Sequence, residues 1–590
     1  MSTLPHIPGT DPSRCIFDSF RAAIARQVAD ALPPLTPEQV YTGVDYGKKG
    51  EDFTIAIPRF RLPGKPDDLG RKVVENFKPD EWVESVRQEK AFLHFTCRTP
   101  ALFERVLTQI HDLTKKSPTG QPEYGRNDSG KGKKVVIEYS SPNIAKNFHV
   151  GHLRSTIIGS YLTNLYRANG WEVISMNYLG DWGTQFGLIA TGFQKYGNEE
   201  RLREDAIKHL FEVYVKVNAD AENDPKVKEE AAAWFKRMED GDESALKNWR
   251  VWRELSIKKY EEEYARLNVH FDVYTGESEV KPEYQTLAFQ KLEEKGLLAE
   301  VDGAKLIDLE KYKLGKAVVR KRDGTSIYLT RDIAGAMQRY EKYQFDKMIY
   351  VIASAQDLHT AQFFKALELL DLPWANRLEH VNFGLVHGMS TRKGTVVFLE
   401  QIIKEAQSVM HEQMKKNEAK YAAVEDPETV AQETAITGIK IQDMSAKRIG
   451  NYTFSWDRMT SFEGDTGPYL QYAHVRLSSI ERKNPDLLPL PSPSDIDCTL
   501  LTEPHAREIA FLLGSYPDVV KTAIKNHEPS TVVTFCFKLS HAISSAWDVV
   551  IVKGEQDKAK AQARLWLYLT ARDVLGAALR LLSIKPLERM

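Results

Sequence analysis

His149 and His152 stand three residues apart, with Gly151 between them, in the stretch NIAKNFHVGHLRSTIIGS, residues 143–160. Two chemistries use such a pair. As metal ligands the imidazoles would lie one helical turn apart on one face, but no Cys, His or Glu follows at the spacing of a zinc site. As phosphate ligands they make better sense at the start of a helix, where unpaired N–H groups and the helix dipole carry partial positive charge. Gly151 lets a nucleotide lie against bare backbone. Lys146 and the two histidines would then stabilise negative charge building on a transferring phosphate. A third reading is structural, two polar residues that cap a core helix.

The flanking sequence supplies elements that would hold such a site. KKVVIEYS reads as a short buried strand, with Val135, Val136 and Ile137 in a row. Leu153, Ile157, Leu162, Leu165 and Tyr166 then recur at helical spacing until Asn169-Gly170 supplies a stop. WEVISMNY is a second strand. Strand, helix and strand make a βαβ unit, and such sheets bind ligands at the carboxyl ends of their strands.

The rest of the chain sorts into three parts. Residues 1–128 mix a helix over 17–32 with strands in DFTIAIPRF and KAFLHFTC, an α+β domain. The stretch 114–134, across the boundary to the next part, is rich in Gly, Pro, Ser and charge and reads as a solvated linker. Strand and helix signals alternate over 129–405 around a charged helical insertion near 199–268, a doubly wound α/β core of Rossmann type. From 406 to 590 long helical periods take over. With 590 residues, 42% hydrophobic and 27% charged, the chain is ordinary for a globular protein. Its net charge of −2 means that any basic surface is local. Cys15, Cys97, Cys498 and Cys536 are too scattered for a zinc ribbon or a disulfide framework, which suits a reducing compartment. No apolar run approaches the ~18 residues of a membrane span. Arg21 and Arg26 would suit a transit peptide, but Asp11, Asp18 and Asp30 favour the ordinary first helix of a domain.

The segment SSPNIAKNFHVGHLRSTIIG followed by NYLGDWGTQFG resembles the arginyl-tRNA synthetase family, class I enzymes whose HIGH signature HVGH matches. The likeness runs over nearly the whole chain and is greatest to the eukaryotic, fungal-type members. It implies a Rossmann-type HIGH-class catalytic core with an α+β amino-terminal domain and an all-helical anticodon-binding domain. It also implies formation of arginyl-adenylate from arginine and ATP with Mg2+, then transfer to tRNA(Arg), in a cytoplasmic monomer, with use in mitochondria left open. By the same resemblance His149, Gly151 and His152 bind ATP and serve catalysis. GMSTRKG, 388–394, stands where the second signature, KMSKS, is expected, with Met389 and Ser390 at the nucleotide. Gly388 and Arg392 replace its two lysines, so Arg392, Lys393 and Lys146 would share the cationic work on pyrophosphate.

The family match extends to the substrates. Glu277, Asp332 and the Tyr328 hydroxyl are implied as guanidinium ligands, and Glu138, Asn143 and Gln356 as contacts at the amino-acid end. A planar cation with five donors needs such carboxylates. Tyr469 and Tyr472 resemble residues of the anticodon pocket, Trp547 stands where relatives carry tyrosine, and Met590 matches a terminal contact. In the amino-terminal domain FLHFTCR offers His94 and Phe95 to the D-loop. Two rival readings are a pantothenate-synthetase-like ligase and a non-catalytic tRNA-binding scaffold. The large helical domain disfavours the first and the intact histidines the second.

Overall fold

The computed structural model describes the chain except residues 1–3, 49, 116, 118–121, 145, 147, 323–327 and 390–397. Phe17, Phe20, Ile24 and Val28 fall on one face of the helix Phe17–Ala31 and are buried. They cover a four-stranded antiparallel sheet in which Val44–Tyr46, Phe53–Ala56, Phe92–Cys97 and Val83–Glu89 lie side by side. The segment with transit-peptide character is therefore a packed part of this domain. Arg21 in it is buried and pairs with Asp18 and Asp518.

Five parallel strands form the central sheet: Lys134–Glu138 (β1), Glu172–Leu179 (β2), Val273–Gly276 (β3), Lys347–Tyr350 (β4) and Leu378–His380 (β5). Their order is β5-β4-β1-β2-β3. β1 is central, which is why its Val135–Ile137 run is apolar on both faces. The chain leaves β1 towards β2 and β3, then returns on the other side as β4 and β5. The switch point thus lies between β1 and β4, where open α/β sheets take ligands. Helix α1 (Val150–Ala168) joins β1 to β2, helix α2 (Tyr328–Tyr343) leads into β4, and helix α3 (Asp357–Leu369) joins β4 to β5.

Two insertions interrupt this core. The charged stretch near 199–268 is helical, as expected, in the pieces Glu199–Glu204, Ala206–Asn223, Pro225–Glu239 and Glu243–Arg266. The other was not anticipated: Leu298–Val301, Ala304–Asp308 and Lys316–Arg320 form a small antiparallel sheet between β3 and α2. Its first hairpin turns on Asp302-Gly303, with φ of 51° and 78°, the backbone that tight hairpins require.

Past β5 the chain makes a last parallel pair, Val386–His387 with Tyr452–Thr453, and is helical beyond. Helix α4 (Pro427–Ser445) and helix α5 (Gly467–Arg482) are followed by Pro504–Asn526, Pro529–Ala546 and Lys558–Leu581. The amino-terminal domain is mounted on Pro504–Asn526. Phe17 and Phe53 meet Phe511 at ring distances of 5.0 and 5.8 Å, and Arg507 donates to both oxygens of buried Asp52 at 2.9 and 2.6 Å.

The expected solvated linker is instead docked in its second half. Tyr124 is buried and donates to the Leu513 carbonyl at 2.9 Å, while the Asn127 and Gly130 amides bond to the end of α1 and the turn after it. One aromatic residue among Gly, Pro and Ser is enough to fasten that strap.

Candidate functional site

The two histidines cap α1 reciprocally. Nδ1 of His149 accepts the Gly151 N–H at 3.1 Å, and Nδ1 of His152 accepts the His149 N–H at 3.3 Å. Their rings stack with centroids 3.6 Å apart. A ring nitrogen that accepts carries no proton, so each neutral ring holds its proton on Nε2 and offers a donor there. Burial, with the neighbouring His149, pushes the His152 imidazole down to about 3, and burial lowers His149 as well. The structural and the phosphate readings of this pair are therefore compatible. Capping consumes Nδ1 and fixes the tautomer that presents Nε2–H.

Behind the caps, α1 is tied to the strand ends by buried polar groups. Ser140 and Ser141, just past β1, take left-handed φ of 70° and 50°, conformations that non-glycine residues hold only when the surroundings impose them. Here the Ser140 N–H donates to Ser155 Oγ at 2.9 Å, Ser155 donates to the Val351 carbonyl past β4 at 2.8 Å, and the Ser141 N–H donates to Asn177 Oδ1 at 3.1 Å. Arg154 is fully buried, donates to the Gly384 and Gly450 carbonyls at 2.6 and 2.9 Å, and lies 3.3 Å from Asp443 of α4. Removing one partner of such a pair costs about 3–5 kcal/mol. Sequence reading missed Arg154 and Ser155, although both sit inside the signature stretch.

Next to the carboxyl ends of β1 and β4 lies a cavity of about 60 Å³, lined among others by Glu138, Tyr178, Arg331, Asp332, Arg339 and His359. Glu138, the last residue of β1, is buried and paired with Arg339 of α2. Burial works against the Arg339 charge, but Glu138 and the rings of Tyr350 and Tyr178 hold it, and its guanidinium lies 4.7 Å from the Tyr178 ring. Asp332 accepts from His359 at 2.6 Å, taking Nε2 as the protonated nitrogen. Glu277 pairs with Arg331 at 3.2 Å. Burial raises the Glu277 carboxyl, whereas Arg331 and, more weakly, Lys146 of the signature loop pull it down. The segment that carries Glu277 is fixed by Asp181, fully buried, which accepts from the Ser278 N–H and hydroxyl at 2.9 and 2.8 Å and from Arg253 at 2.6 Å. Asp181 belongs to the quoted GDWGTQFG motif, yet its role was not foreseen.

The residues singled out in the sequence thus divide. Glu138 and Asp332 line one cavity, and Glu277 reaches it through Arg331. Asn143 bridges to Gly180 past β2, and Gln356 is exposed past β4. Tyr328 opens α2 on the same helical face as Asp332 but is 71% exposed, at the surface rather than in the cavity. Lys146 is exposed beside the capped helix start. Of the second signature, Gly388 (φ 74°) and buried Met389 are described, whereas Ser390, Arg392 and Lys393 lie outside the described residues. Among the described residues the one His, Cys and carboxylate group close enough to hold a metal is Cys15, Asp18 and Asp518, remote from this cavity and paired with Arg21 and Lys521.

On the helical domain, Tyr469 and Tyr472 share the first turns of α5. The Tyr469 hydroxyl lies 3.0 Å from Ser544 Oγ. Tyr472 is 41% exposed, and the Arg476 guanidinium sits 5.5 Å from its ring and 4.1 Å from that of Trp547. Arg476, unremarked in the sequence, completes a flat cationic platform of the kind on which bases stack. Met590 packs beside Val430, Val475 and Leu587, and the tail is held by His474 to the Leu587 carbonyl at 2.6 Å and by Gln471 to Lys585 and Leu587, both at 2.9 Å. The Phe95 expectation is corrected. Its ring is fully buried between Phe53 and Val86 in the strand register, so it has no surface to offer a base. His94, on the opposite face, lies 3.0 Å from Thr54 Oγ1.

Comparison with known proteins adds to this geometry. A family model described as tRNA synthetases class I (R), catalytic domain, matches residues 120–456, and one described as DALR anticodon binding domain matches 470–590. The chain is 54% identical over 591 residues to the cytoplasmic arginine–tRNA ligase of Saccharomyces cerevisiae, covering 98% of this chain and 96% of that protein. It is 50% identical to a probable cytoplasmic arginine–tRNA ligase of Schizosaccharomyces pombe, covering 100% of this chain and 97% of the relative. The crystal structure of arginyl-tRNA synthetase from Plasmodium falciparum shares its fold, with a TM-score of 0.76 at 22% identity over 98% of this chain and 99% of that one.

Proposed function

The chain belongs to the arginine-specific class I tRNA synthetases, and from that premise we propose how its residues divide the work. The protein is an arginine-activating ligase of cytoplasmic protein synthesis. The arginine carboxylate attacks the α-phosphorus of ATP, giving arginyl-adenylate and pyrophosphate. A hydroxyl of the terminal adenosine of tRNA(Arg) then attacks the activated carbonyl and AMP leaves. Three parts carry this: an α+β domain to 128, the catalytic core over 129–405, and the anticodon-binding helices over 406–590.

His149 and His152 act as neutral Nε2–H donors to the phosphates, with Gly151 and Met389 bordering the nucleotide. Positive charge comes from Lys146 and from Arg392 and Lys393, beside Ser390. Mg2+ would travel on the ATP phosphates with water, as suits an ion that keeps its hydration shell. Asp332 and Glu277 take the guanidinium of arginine, with Tyr328 closing over them, while Glu138, Asn143 and Gln356 serve the amino-acid end. Tyr469, Tyr472, Trp547 and Met590 form the anticodon contact, and the protein works as a monomer.

The observation that carries this reading is the carboxylate-lined cavity at the ends of β1 and β4, within electrostatic reach of the loop that opens the histidine-capped helix. Pyrophosphate exchange into ATP, run with each amino acid with and without tRNA, tests it. Exchange with arginine alone supports the assignment. Exchange with another amino acid removes Glu277, Tyr328 and Asp332 from the guanidinium site.

A further inference from the structure

Every carboxylate assigned to arginine already has a partner from the protein itself. Glu138 holds Arg339, Glu277 holds Arg331 at 3.2 Å, and Asp332 holds His359 at 2.6 Å. The three pairs are not equivalent. Arg339, with its side chain only 11% exposed, lies between the rings of Tyr178 and Tyr350 at 4.7 and 5.8 Å, a fixed part of the wall. An arginine cannot lose its proton in a protein, so Arg331 can only move. His359 alone among the three can surrender its charge near neutral pH.

The charges at the cavity make that difference matter. Around His359 stand Asp332, Arg331 and Arg339 of α2, Glu138 of β1, the tyrosines Tyr178 and Tyr350, and Asp357 of its own helix, which faces His380 at 3.6 Å. Glu277 joins through Arg331. With His359 protonated, Glu138, Glu277 and Asp332 each meet a cation, Arg339, Arg331 and His359, and none of these three carboxylates is left for a fourth. With His359 neutral, Asp332 carries an uncompensated charge, and a guanidinium restores the balance.

We propose that His359 is a specificity-determining residue that occupies Asp332 in the empty enzyme and releases it, with a proton, when arginine binds. The proposal rests on the arginine reading of this cavity. The Asp332 hydrogen bond raises the His359 imidazole above its ordinary value, against the opposing effect of partial burial. Below that raised value arginine must displace a cation; above it Asp332 is free of charge competition. Arginine affinity therefore rises with pH through the His359 titration, while the guanidinium of the substrate stays charged throughout.

Calorimetric titration of the full-length protein with L-arginine, between pH 6 and 8 in buffers of different ionisation enthalpy, counts protons released. The expected result is release approaching one proton at the acid end and a Kd that falls up to about tenfold per pH unit there. His359→Gln, which can still donate to Asp332 but cannot titrate, should bind arginine with no proton release and no such slope. The KM for ATP, followed over the same range, should not share the trend. A wild-type Kd that is flat with no proton release overturns the proposal, as does a slope that survives in His359→Gln. Arginine failing to bind at all, in a protein that remains folded, overturns the functional reading itself and this proposal with it.

Discussion

At the start of α1, the groups proposed to meet phosphate are held by the backbone. His149 and His152 spend Nδ1 on amides, Ser155 links the exits of β1 and β4, and Arg154 anchors the helix on two carbonyls and Asp443. At the amino-acid end the opposite holds. Glu277 and Asp332 are held by side chains, Arg331, a guanidinium like that of the substrate, and His359, a cation when protonated. The nucleotide end is preorganised, and a ligand arriving there adds bonds without breaking any. The amino-acid end must exchange one ion pair for another. The proposed assignment therefore puts rate in the first region and selectivity in the second, because an exchange is favourable only for a guest that replaces the lost charge in kind.

The largest effect expected from this contrast is on turnover. His152→Ala removes one donor from a preorganised site and should lower kcat about 10²–10³-fold with the arginine KM nearly unchanged. The lost cap costs about 1 kcal/mol, too little to unfold the protein, which circular dichroism would check. A rise in arginine KM as large as the fall in kcat would break the division between the two regions. Because the His152 imidazole stays neutral across the neutral range, its loss should leave the shape of the kcat–pH profile unaltered.

Asp332→Asn probes the other region and should do the reverse. It replaces a charge-assisted bond worth about 2–3 kcal/mol, so the arginine KM should rise about thirty- to hundredfold while kcat at saturating arginine stays within a few-fold. Steady-state aminoacylation at varied arginine reads both numbers. If kcat collapses and KM does not move, Asp332 belongs to the reacting end and the comparison fails.

What the sequence revealed follows the same divide. The strand and helix that carry the histidines were legible because their parts are local: strand, histidines, glycine and helix lie within about thirty-five residues of one another, from Lys134 to Ala168. The exchange at the amino-acid end was not, since His359 and Asp332 are 27 residues apart and Arg339 and Glu138 are 201 apart in the chain. Nothing in α2 alone says that Arg331 and Asp332 serve different partners. Other misses were readable. Leu93, Phe95 and Cys97 alternate with His94 and Thr96, and a period of two puts Phe95 inside. Asp302-Gly303 between short apolar runs is a hairpin signal, and the small sheet beside it could have been read from that pair.

The smallest expected effect is also the sharpest test of exchange, because its sign is unusual. Arg331 presents to Glu277 the same guanidinium that the substrate carries, in a pair with about a fifth of each side chain exposed. A pair partly open to water contributes about 0.5–1 kcal/mol. If arginine must displace it, removing the competitor gives that energy back to binding. Arg331→Met keeps the aliphatic stem of the side chain and discards its charge, so the arginine KM should fall, by about two- to fivefold. Most substitutions in a binding cavity weaken binding, and an improvement would be hard to produce by any general disturbance of the fold. A KM that instead rises would mean that Arg331 meets the substrate directly, as a cation facing its carboxylate. Glu277 would then be part of the wall rather than a ligand, leaving Asp332 with His359 as the one exchange on which selectivity for arginine depends.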